Sequence, residues 1–222
     1  MRYLDLLTAL FATGLLVSNV ASTKLVVLGP FTFDGGTLLF PLAYIFGDVL
    51  TEVYGYRKSR RVIWIGFFAL LLATLTFQAV AHLPAPPDAE SQRFGEAFGL
   101  LLGLTPRIVL GSLLAYFLGE FANAYVLAKL KVRTEGRFFW LRALASTLVG
   151  QGLDTGVFLL VAFYGVFPKE VLLAVFLSNY AFKLGVEALM LPFTYAVVGF
   201  LKRAEGMDAY DRDTDFNPFR LT

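Results

Sequence analysis

Seven ionisable side chains lie inside the long apolar stretches of this 222-residue chain. One such group inside a membrane-spanning helix costs about 2.5–3.5 kcal/mol on insertion scales, so these residues tend to be paired and functional. In chain order they are Lys24, Asp48, Glu52, Glu120, Asp154, Lys183 and Glu187. Five acids against two lysines leave surplus carboxylates, which suits a cation, a proton or a solute with two parallel N–H donors.

Neutral polar residues accompany these charges at intervals of three or four residues, which places them on shared helix faces. The resulting groups are Tyr44, Asp48 and Glu52; Glu120 and Asn123; Gln151 and Asp154; and Asn179, Lys183 and Glu187. With Asn19 and Lys24, these residues form the predicted substrate-binding set. The third apolar stretch offers almost no polar residues, so we expect it to face lipid mostly.

Structural roles are open for several members of this set. Lys183 and Glu187 could form a stabilising i, i+4 pair on one helix, and Lys24 could extend its ammonium to the membrane surface. The amide side chains could instead join helices by hydrogen bonds. Asp48 and Asp154 lie near the middle of their stretches, where a purely structural role is hardest to justify.

Composition restricts the class of protein. The chain is 57% hydrophobic, with a mean hydropathy of +0.67 and 16% charged residues, whereas soluble domains carry roughly 25%. A net charge of +2 without a basic patch argues against nucleic acid. The absence of cysteine and the single histidine exclude thiolate and multi-histidine metal sites, and no cofactor is implied. No nucleophile–histidine arrangement is present; an intramembrane enzyme using Asp48 and Asp154 is a minor alternative.

The apolar stretches predict an all-α membrane protein, a bundle of six transmembrane helices. Residues 1–203 form this transporter domain, and residues 204–222 form a polar cytoplasmic tail that we expect to be a mobile extension. The predicted spans are 4–28, 37–54, 61–82, 106–130, 138–167 and 169–201, with a polar loop after the third.

The basic residues predict the orientation. Of the 19 Lys and Arg residues, fourteen flank the spans on one side, three on the other, and two lie inside. Cytoplasmic loops carry the excess of Lys and Arg. We therefore expect a multi-pass protein of the cell inner membrane with both termini in the cytoplasm.

Several motifs resemble the queuosine precursor transporters, also called the vitamin uptake transporter family. The first is Ser18-Asn19 followed by Lys24. The most specific is Phe40-Pro41-x-x-Tyr44-x-x-x-Asp48-x-x-Thr51-Glu52-x-Tyr54-Gly55. The later ones are Gly111-Ser112 with Ala115-Tyr116, Trp140-Leu141-Arg142 with Ser146-Thr147, and Gln151 with Asp154-Thr155. The resemblance covers residues 15 to 200, and it departs from the expected pattern at Glu120 and Asn123.

This resemblance implies import of 7-cyano-7-deazaguanine or 7-aminomethyl-7-deazaguanine for salvage of the tRNA base queuosine. It also implies a fold similar to the substrate-binding subunits of energy-coupling-factor transporters. The small-molecule substrate would contact the predicted set, with Tyr44 or Phe40 stacking on its ring. One alternative is a vitamin- or purine-like binding subunit that needs a separate ATP-driven module. Whether the third helix forms a homodimer surface, and what energy source drives transport, are left open by the sequence.

Overall fold

Within residues 1–28 and 31–220, which the computed structural model describes, the chain forms seven α-helices, a β-hairpin and a 3₁₀-helix. The helices are α1 (Leu4–Ala21), α2 (Phe40–Tyr54), α3 (Tyr56–Ala81), α4 (Ala89–Leu102), α5 (Pro106–Arg133), α6 (Phe139–Phe163) and α7 (Lys169–Glu205). The hairpin strands are β1 (Leu25–Leu28) and β2 (Phe31–Asp34), and the 3₁₀-helix spans Gly35–Leu39.

Five helices are long and apolar enough to cross a membrane, namely α1, α3, α5, α6 and α7. The prediction of a multi-pass α-helical membrane protein is confirmed. The helix α2 has 15 residues, so it extends only about 22 Å at 1.5 Å per residue. A hydrocarbon core is about 30 Å thick. The sixth crossing therefore stays a prediction.

The first helix is shorter than predicted, because it ends at Ala21 rather than near residue 28. The following residues form β1, which pairs antiparallel with β2. The β-branched Val26 and Val27 explain the change, since such side chains favour strands over helices. The predicted turn residues Gly29 and Pro30 lie outside the described residues.

A helix that was not predicted, α4, occupies most of the segment that was predicted to be a polar loop. Its N-cap is Asp88, whose side chain accepts a hydrogen bond from the backbone N–H of Ser91 at 2.8 Å. Such a cap satisfies one of the free N–H groups that begin every helix. None of its residues is buried, so α4 contributes nothing to the protein core.

Two glycines let α5 and α6 pack closely. A Cβ at Gly119 would lie 2.8 Å from that of Asp154, and a Cβ at Gly150 would lie 2.8 Å from that of Asn123. Small residues at such crossings allow membrane helices to approach. This crossing brings Glu120 and Asn123 of α5 against the polar residues of α6.

The end of the molecule where α2 meets α3 carries the apolar core. Gly55 makes the turn between the two helices with φ +81°, a backbone conformation that favours glycine. Buried apolar side chains pack beside this turn, including Val49, Val53, Leu127 and Val198.

The tail packs against this same end, so the predicted mobile extension is wrong for residues 206–220. Asp211 is buried and accepts a hydrogen bond from the Tyr56 N–H at 2.9 Å. The Trp64 indole donates to the Pro218 carbonyl at 2.7 Å, and Arg60 donates to the Asn217 carbonyl at 2.7 Å. These contacts cover the first two turns of α3.

Candidate functional site

A cavity of about 260 Å³ opens among five helices. Small-molecule pockets typically measure about 300–1,000 Å³, so this space suits a small solute. The residues that line it are Phe11, Gly14, Leu15, Ser18, Asn19 and Ser22 of α1; Leu39; Leu42, Phe46, Gly47 and Asp48 of α2; Tyr116, Gly119, Glu120 and Asn123 of α5; Thr147, Gln151 and Asp154 of α6; and Lys183 of α7. Among the described residues, α3 contributes none of the lining.

Asp48 is the most deeply buried acid of this lining, with 1% of its surface exposed. The Asn123 side chain lines the cavity beside it. A Cβ at Gly47 would be in ordinary van der Waals contact with the Asn123 amide nitrogen, at 3.6 Å, so this amide lies close against α2. Asp48 Oδ2 and Asn123 Oδ1 are both buried, and neither has a hydrogen-bond partner among the residues that the structure describes. The wall therefore presents two hydrogen-bond acceptors that need donors.

The opposite side of the cavity carries a paired acid. The Lys183 ammonium donates to Asp154 Oδ2 at 2.8 Å and to the Thr155 hydroxyl at 3.3 Å. Lys183 therefore pairs across two helices with Asp154. Glu120 lies close enough to interact electrostatically with both Asp154 and Lys183. Three acids and one lysine line the cavity, so it is rich in hydrogen-bond acceptors.

Apolar and aromatic groups form the remaining walls. Phe11 and Phe46 line the cavity, and the hydroxyl of the buried Tyr116 donates to the Ile63 carbonyl at 2.9 Å, which holds that ring in place. Gly66 makes room for this ring, since a Cβ there would lie 2.4 Å from the Tyr116 oxygen. Such walls can stack on a planar ring.

The cavity unites much of the predicted substrate-binding set. Its members in the lining are Asn19, Asp48, Glu120, Asn123, Gln151, Asp154 and Lys183. Lys24 and Asn179 are exposed and lie outside it. Glu187 is buried behind the lining. The side chains of Tyr44 and Phe40 lie outside the described residues.

Glu52 also lies outside the cavity, in an ion-pair cluster at the end where the tail packs. Arg142 binds both of its carboxylate oxygens, at 2.5 and 3.2 Å. Lys202 lies 2.8 Å and Lys131 lies 3.5 Å from Oε1. All four side chains except Lys202 are at least 98% buried. The structure thus gives Glu52 a full set of partners inside the protein.

Asp208 of the tail completes this cluster by pairing with both Lys131 and Lys202. Partial burial raises the pKa of Asp208, but hydrogen bonds from the two ammonium groups outweigh that effect and hold the pKa below its ordinary value. The carboxylate is therefore ionised at neutral pH and attaches the tail to α5 and α7.

The predicted substrate-binding set omitted part of the wall that α1 forms. Gly14 and Ser18 of α1 and Ser22, which directly follows this helix, are spaced by four residues, and all three line the cavity. Ser18 belongs to the Ser18-Asn19 motif quoted above. The four-residue spacing from Ser18 was the available signal for Gly14 and Ser22.

Comparison with known proteins agrees with this geometry. Residues 34–197 match the vitamin uptake transporter family. A Bacillus subtilis protein named "Probable queuosine precursor transporter" is 36% identical over 84% of this chain and 80% of its own length. The "Queuosine precursor transporter" of Escherichia coli is 27% identical over 73% of this chain and 71% of its own. No solved structure matches the chain. The chain therefore belongs to the queuosine precursor transporter family, also called the vitamin uptake transporter family, whose members are transporters and not enzymes.

Proposed function

We propose that this protein imports queuosine precursors, namely 7-deazaguanines that carry a 7-cyano or a 7-aminomethyl group. The names of its relatives supply the solute class. The observation that carries the proposal is the pair of buried, unpartnered acceptors, Asp48 Oδ2 and Asn123 Oδ1. A deazaguanine presents a ring N–H beside an exocyclic amine, and a carboxylate can accept both donors at once.

The other cavity residues receive complementary roles. Gln151 and Asn19 would contact the ring carbonyl and the 7-substituent, with Phe46 against the ring face. Asp154 would bind the cationic aminomethyl group of the solute. Its present partner, the Lys183 ammonium, could either keep its bond to the Asp154 carboxylate or give it up when the solute binds. The cavity contains three acids and one lysine, a ratio that suits that cation. Lys24 and Asn179, which lie outside the lining, are assigned no contact.

We propose six crossings, the sixth being α2 extended by the 3₁₀-helix before it, with both termini in the cytoplasm of a bacterial inner membrane. The cluster around Glu52 supports this orientation, because it gathers Arg142, Lys131 and Lys202 on one side, and basic residues favour the cytoplasmic side. The arrangement would be similar to the binding subunits of energy-coupling-factor transporters. The exposed apolar face of α3, including Phe68 and Leu72, is the surface available for a homodimer.

The alternative, a binding subunit driven by a separate ATPase, has less support. Such subunits dock through small residues spaced by four on an exposed face. Gly14 and Ser18 line the cavity, which leaves only Ala9 and Thr13 exposed on that face of α1. Copurification with an ATPase would favour the alternative.

The test is uptake by the intact protein. A bacterium that neither makes nor imports queuosine precursors would express the chain, receive 7-cyano-7-deazaguanine at nanomolar concentration, and be assayed for queuosine in tRNA. We expect the wild type to restore queuosine and Asp48→Asn to lose at least about 100-fold in uptake, since it replaces one acceptor oxygen and all of the charge.

The matched control is Asp5→Asn, the same chemical change at an exposed position in the first turn of α1. It should leave uptake at the wild-type level. Membrane abundance of all variants would be measured by immunoblot. Normal uptake by Asp48→Asn would remove Asp48 from the site, and absence of uptake by abundant wild-type protein would refute the proposed solute.

A further inference from the structure

Glu187 of α7 is a buried acid that forms no ion pair with any described residue. One per cent of its surface is exposed, and neither of its carboxylate oxygens has a hydrogen-bond partner among the described residues. Burying an ionised carboxylate without compensation costs several kcal/mol. Its neighbour across the helix interface is another acid, Asp48, which lies within hydrogen-bonding reach.

The surrounding cations are engaged with other acids. Lys183, one turn from Glu187 on α7, binds Asp154 of α6. Arg142, Lys131 and Lys202 bind Glu52, which lies one turn from Asp48 on α2. The other titratable groups of the cavity are Glu120 and Tyr116 on α5, and the lining of α1 is uncharged. The Asp48–Glu187 pair therefore faces acids more than bases.

One proton resolves this arrangement. Two ionised carboxylates can only accept hydrogen bonds, so side by side they repel each other and leave their oxygens unsatisfied. If one of them is protonated, its O–H donates to the other, and the pair carries a single charge, as in other buried carboxyl dyads. Asp48 is the better site for that charge, because it faces the polar cavity beside the Asn123 side chain, whereas Glu187 lies behind the lining and neither of its oxygens has a hydrogen-bond partner among the described residues.

We propose that the Asp48–Glu187 pair holds one exchangeable proton, located on Glu187, and that Glu187 is a positioning residue that keeps Asp48 ionised and oriented toward the solute. This inference rests on the proposed function in taking Asp48 as the solute acceptor. The proton reaches Glu187 through Asp48, because Asp48 lines the cavity and Glu187 lies behind it. No contact between Glu187 and the solute is required.

The proposal gives uptake two pH limits with different causes. As the pH falls, a second proton neutralises Asp48 and removes the acceptor that binds the solute. As the pH rises, Glu187 loses its proton, and the repulsion of two adjacent anions turns Asp48 away from the solute. The alkaline limit therefore belongs to Glu187 and the acid limit to Asp48.

The test is Glu187→Gln, because the glutamine amide donates permanently where the protonated acid would. We expect uptake at neutral pH to stay within about threefold of the wild type, the alkaline limit to disappear and the acid limit to remain. Glu187→Leu supplies no donor and should lower uptake at least about tenfold. The control is Glu90→Gln, an exposed position on α4, which should leave both limits unchanged.

Infrared spectroscopy of the purified protein without solute tests the proton directly. The wild type at neutral pH should show a protonated carboxyl band that is weaker by one group in Glu187→Gln and unchanged in Glu90→Gln. Absence of the band in the wild type would overturn the proposal whatever the variants do. So would an unchanged band, or an alkaline limit, in Glu187→Gln. If the wild type imports no queuosine precursor, the proposed function fails, while the band still decides where the proton lies.

Discussion

Asp48 and Glu52 lie one turn apart on α2, and each exposes 1% of its surface, but their surroundings are opposite. Glu52 is bound by three cations from α5, α6 and α7. Asp48 forms no ion pair in the described part of the chain, and its Oδ2 has no partner. The first acid is neutralised by cations of the protein, whereas the second lines the cavity, where we propose that it binds the solute.

The difference shows that a buried charge alone does not identify a binding site. Burying an ion is costly in both places, and what distinguishes them is whether the compensating groups belong to the chain. The motif from Asp48 to Gly55 therefore contributes to two parts of the structure. Its first residue lines the cavity, while Thr51, Glu52 and Tyr54 bind other helices and the turn after α2. Thr51 lies 3.0 Å from the Ser59 hydroxyl, and Tyr54 donates to Glu205 at 2.9 Å.

Glu52→Gln tests the structural side of this comparison and should have the largest effect on stability. Removing the carboxylate leaves Arg142 buried without the counter-charge that it binds and leaves Lys131 with Asp208 alone of its two acids; breaking a buried pair in this way costs about 3–5 kcal/mol. We expect a large fall in the amount of folded protein and in the thermal midpoint of the detergent-solubilised protein.

Asp48→Asn is the internal comparison for that experiment, because it alters an equally buried acid on the same helix. It should keep the folded yield near the wild type and lose uptake. If Glu52→Gln were instead stable but inactive, Glu52 would act on the solute, and the division between the two acids would be wrong.

Asn123→Ala tests the binding side and should have an intermediate effect. The change removes the buried Oδ1 acceptor and the amide group beside Asp48. Loss of a buried hydrogen bond to a charged group costs about 1.5–3 kcal/mol, so we expect the apparent affinity for solute to fall about 10- to 100-fold. Uptake measured against solute concentration checks this.

The control for Asn123→Ala is Asn179→Ala, which removes an exposed amide outside the cavity. Its affinity should match the wild type. An equal loss in both variants would show that the cavity does not define the site.

Helical spacing was enough to predict much of the cavity. Asp48, Glu120, Asn123, Gln151 and Asp154 could be identified because polar residues on otherwise apolar helices must face inward. Their convergence required no knowledge of the fold, since a bundle has one shared interior. The same reasoning included Asn179, which is exposed, because spacing gives the face of a helix but not its depth in the bundle.

Pairings between distant segments could not be predicted in this way. Arg142 counted as a basic loop residue, but it lies at the start of α6 and binds Glu52, 90 residues earlier. The tail was predicted to be mobile from its polarity, yet its backbone carbonyls accept from Arg60 and Trp64. These contacts depend on which helix ends meet, and no local pattern in the sequence records that.

Asp208→Asn sharpens the comparison at the edge of the Glu52 cluster and should have the smallest effect. Asp208 is 41% exposed, and pairs of that kind contribute about 0.2–1 kcal/mol and weaken with salt. The pKa of Asp208 is lower in the folded protein, so its contribution is present above the ordinary aspartate pKa of about 3.9 and is lost as the pH falls through the lower folded value.

The measurement is the difference in thermal midpoint between the wild type and Asp208→Asn as a function of pH and salt. The difference should be small and constant near neutral pH, shrink at high salt, and vanish in acid. Asp213→Asn, an exposed tail position without an ion pair to Lys131 or Lys202, is the matched control and should show no such pH dependence. A difference as large as that of Glu52→Gln would mean that the tail, rather than Glu52, holds the cationic cluster together.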